Sequence, residues 1–297
     1  MIVLATGAAG QVGRELVSQA RRRGIECLAF AKDEFDITDP ASIQAGLSRG
    51  PSTGKILINL AGYTGVDAAE ADCDTAFRVN AEGVEALARA CASTGTAMLH
   101  LSTDYVFDGM QDRAYEETEP VNPINVYGRS KVAGEEALRS ILHQHLIVRT
   151  SWVFGARGSN FVTTMLRLAK REPEVAVVAD EVGSPTAAVS LAATLLTLAE
   201  RLAAPIFGEW GTYHYCGRPA TSRAQFARAI FDLARGTGKL PTAYVRDIGS
   251  SDYPAQAKRP PRSVLDCGKV ERTFGITQPE WRPCLEAVLR ELARSGT

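Results

Sequence analysis

What this chain has little of narrows its function first. No segment of its 297 residues carries enough uninterrupted apolar side chains to span a bilayer. Like charges form no block, and 33 Lys and Arg against 34 Asp and Glu leave a net charge of -1. That balance offers no electrostatic footprint for nucleic acid or an acidic membrane, and neither partner is expected. Six cysteines (Cys27, Cys73, Cys91, Cys216, Cys267 and Cys284) are scattered, with no Cys-x-x-Cys pair and no histidine cluster beside them. A metal site and a disulfide framework are therefore not expected, and the thiols suit a reducing cytoplasm. The start, Met1 to Gly7, lacks the charged region and long apolar run of a signal peptide and reads as a strand. Repeats and low-complexity tracts are also missing.

The first half alternates short apolar runs with helical patterns. Strands are predicted at 2–5, 27–31, 56–60, 97–102 and 146–150, and helices at 11–23, 73–93 and 126–142. Arg21, Arg22 and Arg23 before Gly24 read as the last turn of the first helix, where cations suit the dipole. Continuous apolar strands separated by helices predict an α/β fold, a Rossmann-type doubly wound parallel sheet. The second half changes character, with Pro and Gly around 183–185 and a Pro- and Arg-rich loop over 253–264. It offers helices at 188–202 and 284–293, a strand at 213–215, and a capping box from Ser222 to Gln225 before an apolar helix. A smaller C-terminal lobe is expected. The division predicted is a dinucleotide-binding domain of 1–150 and about 187–217, and a substrate-binding lobe of about 151–186 and 218–297.

Gly7, Gly10 and Gly13 recur at three-residue intervals, after the first strand and into the first helix. The first glycine permits the tight turn, the second a close approach of backbone to a pyrophosphate, and the third close helix–strand packing. The helix N-terminus then presents N–H groups to phosphate oxygens. The spacing is similar to the Thr-Gly-x-x-Gly-x-x-Gly pattern of extended short-chain dehydrogenase/reductases. Charges after the second strand should choose the cofactor. Asp33 or Glu34 would favour NADH, and Lys32 favours the 2′-phosphate of NADPH. The tilt is toward NADPH, with solvated loop charges as the alternative.

Tyr127 and Lys131 are four residues apart, one helical turn on a shared face. Ser102 and Thr103 lie where a strand ends, at the edge where open α/β sheets bind ligands. Either hydroxyl could donate to a substrate carbonyl oxygen while Tyr127 protonates it. Lys131 would lower the phenol pKa with its charge and bind the nicotinamide ribose. A hydride carrier with a tuned proton donor points to carbonyl reduction.

The chain resembles the dTDP-4-dehydrorhamnose reductases over most of its length. The matching pieces run in order: the start through Glu15, Phe35 to Asp39, Asn59 to Glu70, Ser102 to Gly109, and Pro123 to Gly128. Arg149 to Phe154, Asn160-Phe161, Gly183 to Thr186 and Arg259-Pro260 follow. The Ser-Thr-Asp-Tyr-Val-Phe and Arg-Thr-Ser-Trp-Val blocks are more specific than the glycine loop. The resemblance implies reduction of the 4-keto group of dTDP-4-dehydro-6-deoxy-L-mannose to dTDP-L-rhamnose. It implies a catalytic group of Thr103, Tyr127 and Lys131. By the same resemblance Gly10, Gln11 and Val12 line the pyrophosphate, Asp36 and Ile37 the adenine, and Ala61, Gly62 and Tyr63 pass under the cofactor. Val66, Asp104 and Trp152 fall near the sugar, and an indole can pack on a hexose. Alternatives stay open: Trp152 as core, Asp36 as a helix cap before Pro40, Asp104 as a loop cap, Thr103 as a strand-end cap. Arg259 could bind a nucleotide phosphate or form a surface ion pair.

The chain departs from the family in two places. Relatives that bridge subunits with Mg²⁺ carry acids just after Pro-Thr, where this chain has Ala188, Val189 and Ser190. A metal-bridged dimer is not expected, and a homodimer without metal stays open. Asn59-Leu60-Ala61-Gly62 replaces the frequent Asn-Ala-Ala, a tolerable change. Competing functions are a reductase or epimerase for another dTDP-deoxysugar, or a non-catalytic NADP-binding subunit like the β subunit of methionine adenosyltransferase.

Overall fold

Ile2–Thr6 (β1) and Lys55–Asn59 (β3) are buried at every position, the pattern of strands covered on both faces. They lie inside a six-stranded sheet in a computed structural model that describes residues 1–50, 54–204 and 206–295. Gln11–Arg23 (α1) follows β1 and ends at Gly24, whose φ of 66° gives the left-handed cap. Glu26–Phe30 (β2), Pro40–Leu47 (α2) and β3 come next. The helix predicted over 73–93 is interrupted: Val66–Ala71 (α3) and Cys73–Phe77 (α4) lead to a π-helical turn, Arg78–Glu82, before Gly83–Thr94 (α5). Ala97–Thr103 (β4), Val126–Ile141 (α6) and His145–Thr150 (β5) close the first half.

Beyond β5 the chain leaves the sheet. Val153–Phe154 (β6), Phe161–Ala169 (α7), Glu174–Val178 (β7), Val182–Gly183 (β8) and Thr186–Ala187 (β9) are short. Ala188–Leu202 (α8) then lies against α1, with the Gln19 amide donating to the Val189 carbonyl at 2.6 Å. Gly211–His214 (β10) pairs with β5. Thr221–Ser222 (β11), Arg223–Thr237 (α9), Tyr244–Ile248 (β12), Gly268–Phe274 (α10) and Trp281–Ser295 (α11) complete the chain. Ser222 and Gln225 do form the predicted capping box of α9.

The sheet order is β10-β5-β4-β3-β1-β2, with every pairing parallel. Strand order reverses between β1 and β3, so a crevice opens at their carboxyl ends. One apolar core, including Leu16, Leu99, Leu146 and Leu195, lies under α1 and α8. A second, including Leu57, Leu87 and Leu138, fills the opposite face under α2, α5 and α6. Phe154, Phe226, Ile230, Trp281 and Leu285 build a separate core among α7, α9 and α11. The parallel pair β7–β12 was not predicted, because its partners are distant in sequence and half exposed. No helix of the described residues is long and apolar enough to cross a membrane.

Candidate active site

A cleft of about 960 Å³ opens where β1, β3 and β4 end. The glycine loop forms one wall, for stereochemical reasons visible at two positions. Gly7 adopts φ 69°, and a Cβ there would come within 2.7 Å of the Ala61 nitrogen on the loop after β3. A Cβ on Gly13 would meet the Gly7 oxygen at 2.4 Å, so only glycine lets α1 close on the turn. Gly10 is the N-cap of α1 and contributes no side chain to the first helical N–H groups. Gln11 and Val12 line the cleft beside it. An uncapped helix N-terminus behind a turn this tight fits a dinucleotide pyrophosphate.

Two loops continue that wall. Lys32 lines the rim, whereas Glu34 turns its carboxylate back to the Ala31 N–H at 3.0 Å. Asp36 accepts from the Thr38 N–H at 2.9 Å and the Thr38 hydroxyl at 2.8 Å, which holds its pKa low. Asp39, not Asp36, caps α2, accepting from the Ala41 N–H at 3.0 Å. Ile37 is buried beside it and also reaches the cleft. Ala61, Gly62 and Tyr63 pass along the floor, pinned by Asn80. Asn80 accepts from the Tyr63 N–H at 2.8 Å and donates to the Tyr63 carbonyl at 3.0 Å and to the Ser130 hydroxyl at 2.9 Å. It sits in the π-helical turn, an irregularity that recurs at functional sites. A Cβ on Gly134 would lie 2.0 Å from the Asn80 oxygen, so α6 can cross here only at glycine.

The polar groups face this wall from β4 and α6. Asn125 caps α6, accepting from the Gly128 N–H at 2.7 Å. A Cβ on Gly128 would come within 2.2 Å of the Tyr105 oxygen, so the glycine after Tyr127 brings the helix onto the strand end. Tyr127 thereby stands edge-on to Tyr105, ring centroids 5.9 Å apart, with its phenol against the Thr103 hydroxyl. Thr103 also donates to Asp104 at 3.1 Å and caps the turn Asp104–Val106, so its strand-end role is real as well. Ser102 faces the other side of β4, toward Glu135. Of the two hydroxyls, Thr103 is the one beside Tyr127.

The electrostatics differ from the simple Tyr–Lys expectation. Burial pushes the Tyr127 phenol well above its ordinary value, and the Thr103 hydroxyl only partly offsets this. Lys131 does not supply the predicted lowering: its Nζ is turned to the Leu101 carbonyl at 2.8 Å and to His100 at 3.1 Å. Burial brings the Lys131 pKa down to about 8, opposed by Glu135. Asp104 is buried and pushed up to about 6 by desolvation, although the Ser263 and Thr103 hydroxyls favour its charged form. The Ser263 hydroxyl donates to Asp104 at 2.5 Å from the far end of the chain.

The profile of the RmlD substrate binding domain matches residues 1–294. A dTDP-4-dehydrorhamnose reductase of Aggregatibacter actinomycetemcomitans is 41% identical over 288 residues, 96% of this chain and 97% of that one. The chain belongs to the dTDP-4-dehydrorhamnose reductase family. A relative of that name from Mycobacterium tuberculosis is 40% identical, covering 98% of this chain and 93% of its own. The crystal structure of dTDP-4-dehydrorhamnose reductase from Bacillus anthracis in complex with NADP superposes with a TM-score of 0.89. It is 35% identical and covers 98% of this chain and 99% of that one.

In this family member the glycine-loop, adenosine-side, catalytic and sugar-side residues singled out from sequence line the cleft, whereas Asp33, Glu34 and Arg259 do not. Val66 opens α3 at its mouth. Trp152 reaches in from the link between β5 and β6, with φ 45°, a backbone conformation rarely open to a bulky residue. Its indole is packed: the Arg223 guanidinium lies 3.6 Å from the ring centroid, and a Cβ on Gly183 would fall 2.4 Å from it. Arg259 is bound elsewhere. Its guanidinium grips Asp67 at 2.6 and 3.2 Å and the Ala257 carbonyl at 3.2 Å, so the ion-pair alternative describes it. Asn80 and Arg223 also line the cleft and were missed. A lone Asn in an apolar helix was a usable signal for the first. Arg223, at the start of α9, gave none. Among the described residues no group of three or more His, Cys, Asp or Glu side chains could hold a metal ion.

Proposed function

We propose that this protein uses NADPH to reduce the 4-keto group of dTDP-4-dehydro-6-deoxy-L-mannose, giving dTDP-L-rhamnose. One observation carries the reading: the Thr103 hydroxyl and Tyr127 phenol meet in the same cleft as the uncapped helix behind Gly7. The nicotinamide supplies the hydride when bound. Thr103 orients the carbonyl oxygen, and Tyr127 gives that oxygen its proton, so hydride plus proton turn C=O into CH–OH. The buried phenol keeps its proton until negative charge develops next to it. Protonation of a ketone is therefore the direction its environment favours.

Gly7, Gly10, Gln11, Val12 and Gly13 would hold the pyrophosphate, and Asp36 and Ile37 the adenosine end. Ala61, Gly62 and Tyr63 would run beneath the cofactor, whose ribose is the target of Tyr127 and Lys131. Lys32, a cation lining the cleft just after β2, supports NADPH over NADH. Val66, Thr103, Asp104, Tyr127 and Trp152 would face the sugar. Residues 1–150 and about 187–217 form the dinucleotide domain in this reading, and about 151–186 and 218–297 the sugar-binding lobe. The reaction belongs in the cytoplasm, and a homodimer needs no metal in this chain.

Loss of NADPH absorbance with dTDP-6-deoxy-L-lyxo-4-hexulose, compared with NADH and other keto sugars, tests the reading. A rate confined to the dTDP-hexulose and faster with NADPH is expected. No turnover with any keto sugar overturns it, and a higher rate with a different dTDP-deoxysugar reassigns the substrate.

A further inference from the structure

Lys131 is oriented in part by His100 and Asn59, which are not among the residues lining the cleft. Its Nζ lies 3.1 Å from Nε2 of His100, and the other ring nitrogen, Nδ1, lies 3.0 Å from the Asn59 amide nitrogen. All three side chains are buried. The backbone decides which end of the Asn59 amide faces His100. Its Oδ1 accepts from the Ala61 N–H at 3.1 Å and from the Thr6 hydroxyl at 2.6 Å. Turned over, the amide would set its NH₂ against the Ala61 N–H, donor against donor. Asn59 therefore donates to His100, and Nδ1 is an acceptor. A neutral imidazole has one N–H, which must then be on Nε2, aimed at Lys131. The ring is neutral because burial pushes its pKa well below the ordinary value, whether or not Lys131 is charged. An Nε2–H can donate to Nζ only when Nζ keeps its lone pair.

We propose that His100 is a positioning residue for Lys131: fixed as the Nε2–H tautomer by Asn59, it turns the Lys131 amine toward β4 and lowers its affinity for a proton. The other groups facing this pair do not reverse the balance. Glu135, one turn along α6, favours a charged Lys131, but it is already bound by Arg149 at 2.6 and 2.9 Å and by Arg139 at 3.0 Å. His145 faces His100 from β5 and works against its charging. Tyr127, on the same helix, is an uncharged phenol. Lys131 matters to turnover only under the reductase reading above, but its protonation can be read without turnover.

The test is carbon NMR of lysine-labelled, cofactor-free protein, following the Lys131 Cε resonance against pH and assigning it with Lys131→Met. A midpoint near pH 8 is expected in the native chain. Asn59→Asp keeps acceptors for Ala61 and Thr6 but takes the Nδ1 proton of His100, so Nε2 becomes an acceptor. His100→Gln adds no charge and can turn its amide oxygen to Nζ. Both substitutions should move the midpoint upward by about one pH unit or more. Nitrogen NMR of His100 should show Nδ1 unprotonated in the native chain. A protonated native Nδ1, or a midpoint unmoved in both variants, overturns the proposal. If Asn59→Asp does not fold, His100→Gln and the native nitrogen spectrum still decide. Neither outcome depends on the reductase assay.

Discussion

The Arg223 guanidinium covers one face of the Trp152 indole at 3.6 Å, inside the cleft. Among the described residues its carboxylate partner is Glu181, 3.5 Å away, a loose pair. A cation held over an aromatic ring and facing a cleft can meet the diphosphate of a nucleotide-sugar. Arg223→Ala should therefore raise KM for the nucleotide-sugar more than it lowers kcat. Loss of the stacked cation should also cost about 1 kcal/mol in a denaturation curve. An unchanged KM would leave Arg223 only a packing role.

Tyr127→Phe removes the proposed proton donor and keeps the ring against Tyr105. Steady-state kcat should fall by roughly 10²–10⁴-fold. NADPH affinity, measured by fluorescence titration, should change little, because the glycine loop is untouched. Turnover close to that of the native chain would take the proton donor's role away from Tyr127.

Asp104 makes a prediction in which stability and activity part. Its carboxyl is raised from the ordinary 3.8 to about 6 in the folded chain. The folded state therefore holds the proton more tightly than the unfolded state, and stability declines as pH rises through about 4 to 6. Above that window the buried charge costs about 2–3 kcal/mol, two pKa units at 1.36 kcal/mol each. Asp104→Asn should melt higher than the native chain at pH 8, with the gap closing below pH 4. The same variant should reduce the keto sugar more slowly. A melting gap that does not depend on pH would mean that the charge is not the cause.

The sheet and its glycine loop were legible because both rest on local pattern. Short apolar runs bounded by turn residues read as buried strands from local pattern, and Gly7, Gly10 and Gly13 are close to their structural causes. The Tyr127–Lys131 spacing correctly put both side chains on the cleft side of α6. It could not say where the Lys131 amine points, since His100 and Leu101 come from another strand. Arg259 was left open between a phosphate and an ion pair for the same reason: its partner, Asp67, is 192 residues away. The break in the predicted helix over 73–93 reflects Asn80, whose hydrogen bonds reach Tyr63 and Ser130 rather than its own helix.

The sixth strand of the sheet has a consequence for the order in which the chain can be completed. β5 has its outer partner only when residues 211–214 return to it, and α1 is covered only when 188–202 arrive. A nascent chain that has emerged as far as Thr150 would expose both an open strand edge and an apolar helix face. Synthesis must therefore run well into the second half before the first half is sealed. A ribosome stalled near residue 150 should present a chaperone-binding, protease-sensitive chain rather than a finished nucleotide-binding unit.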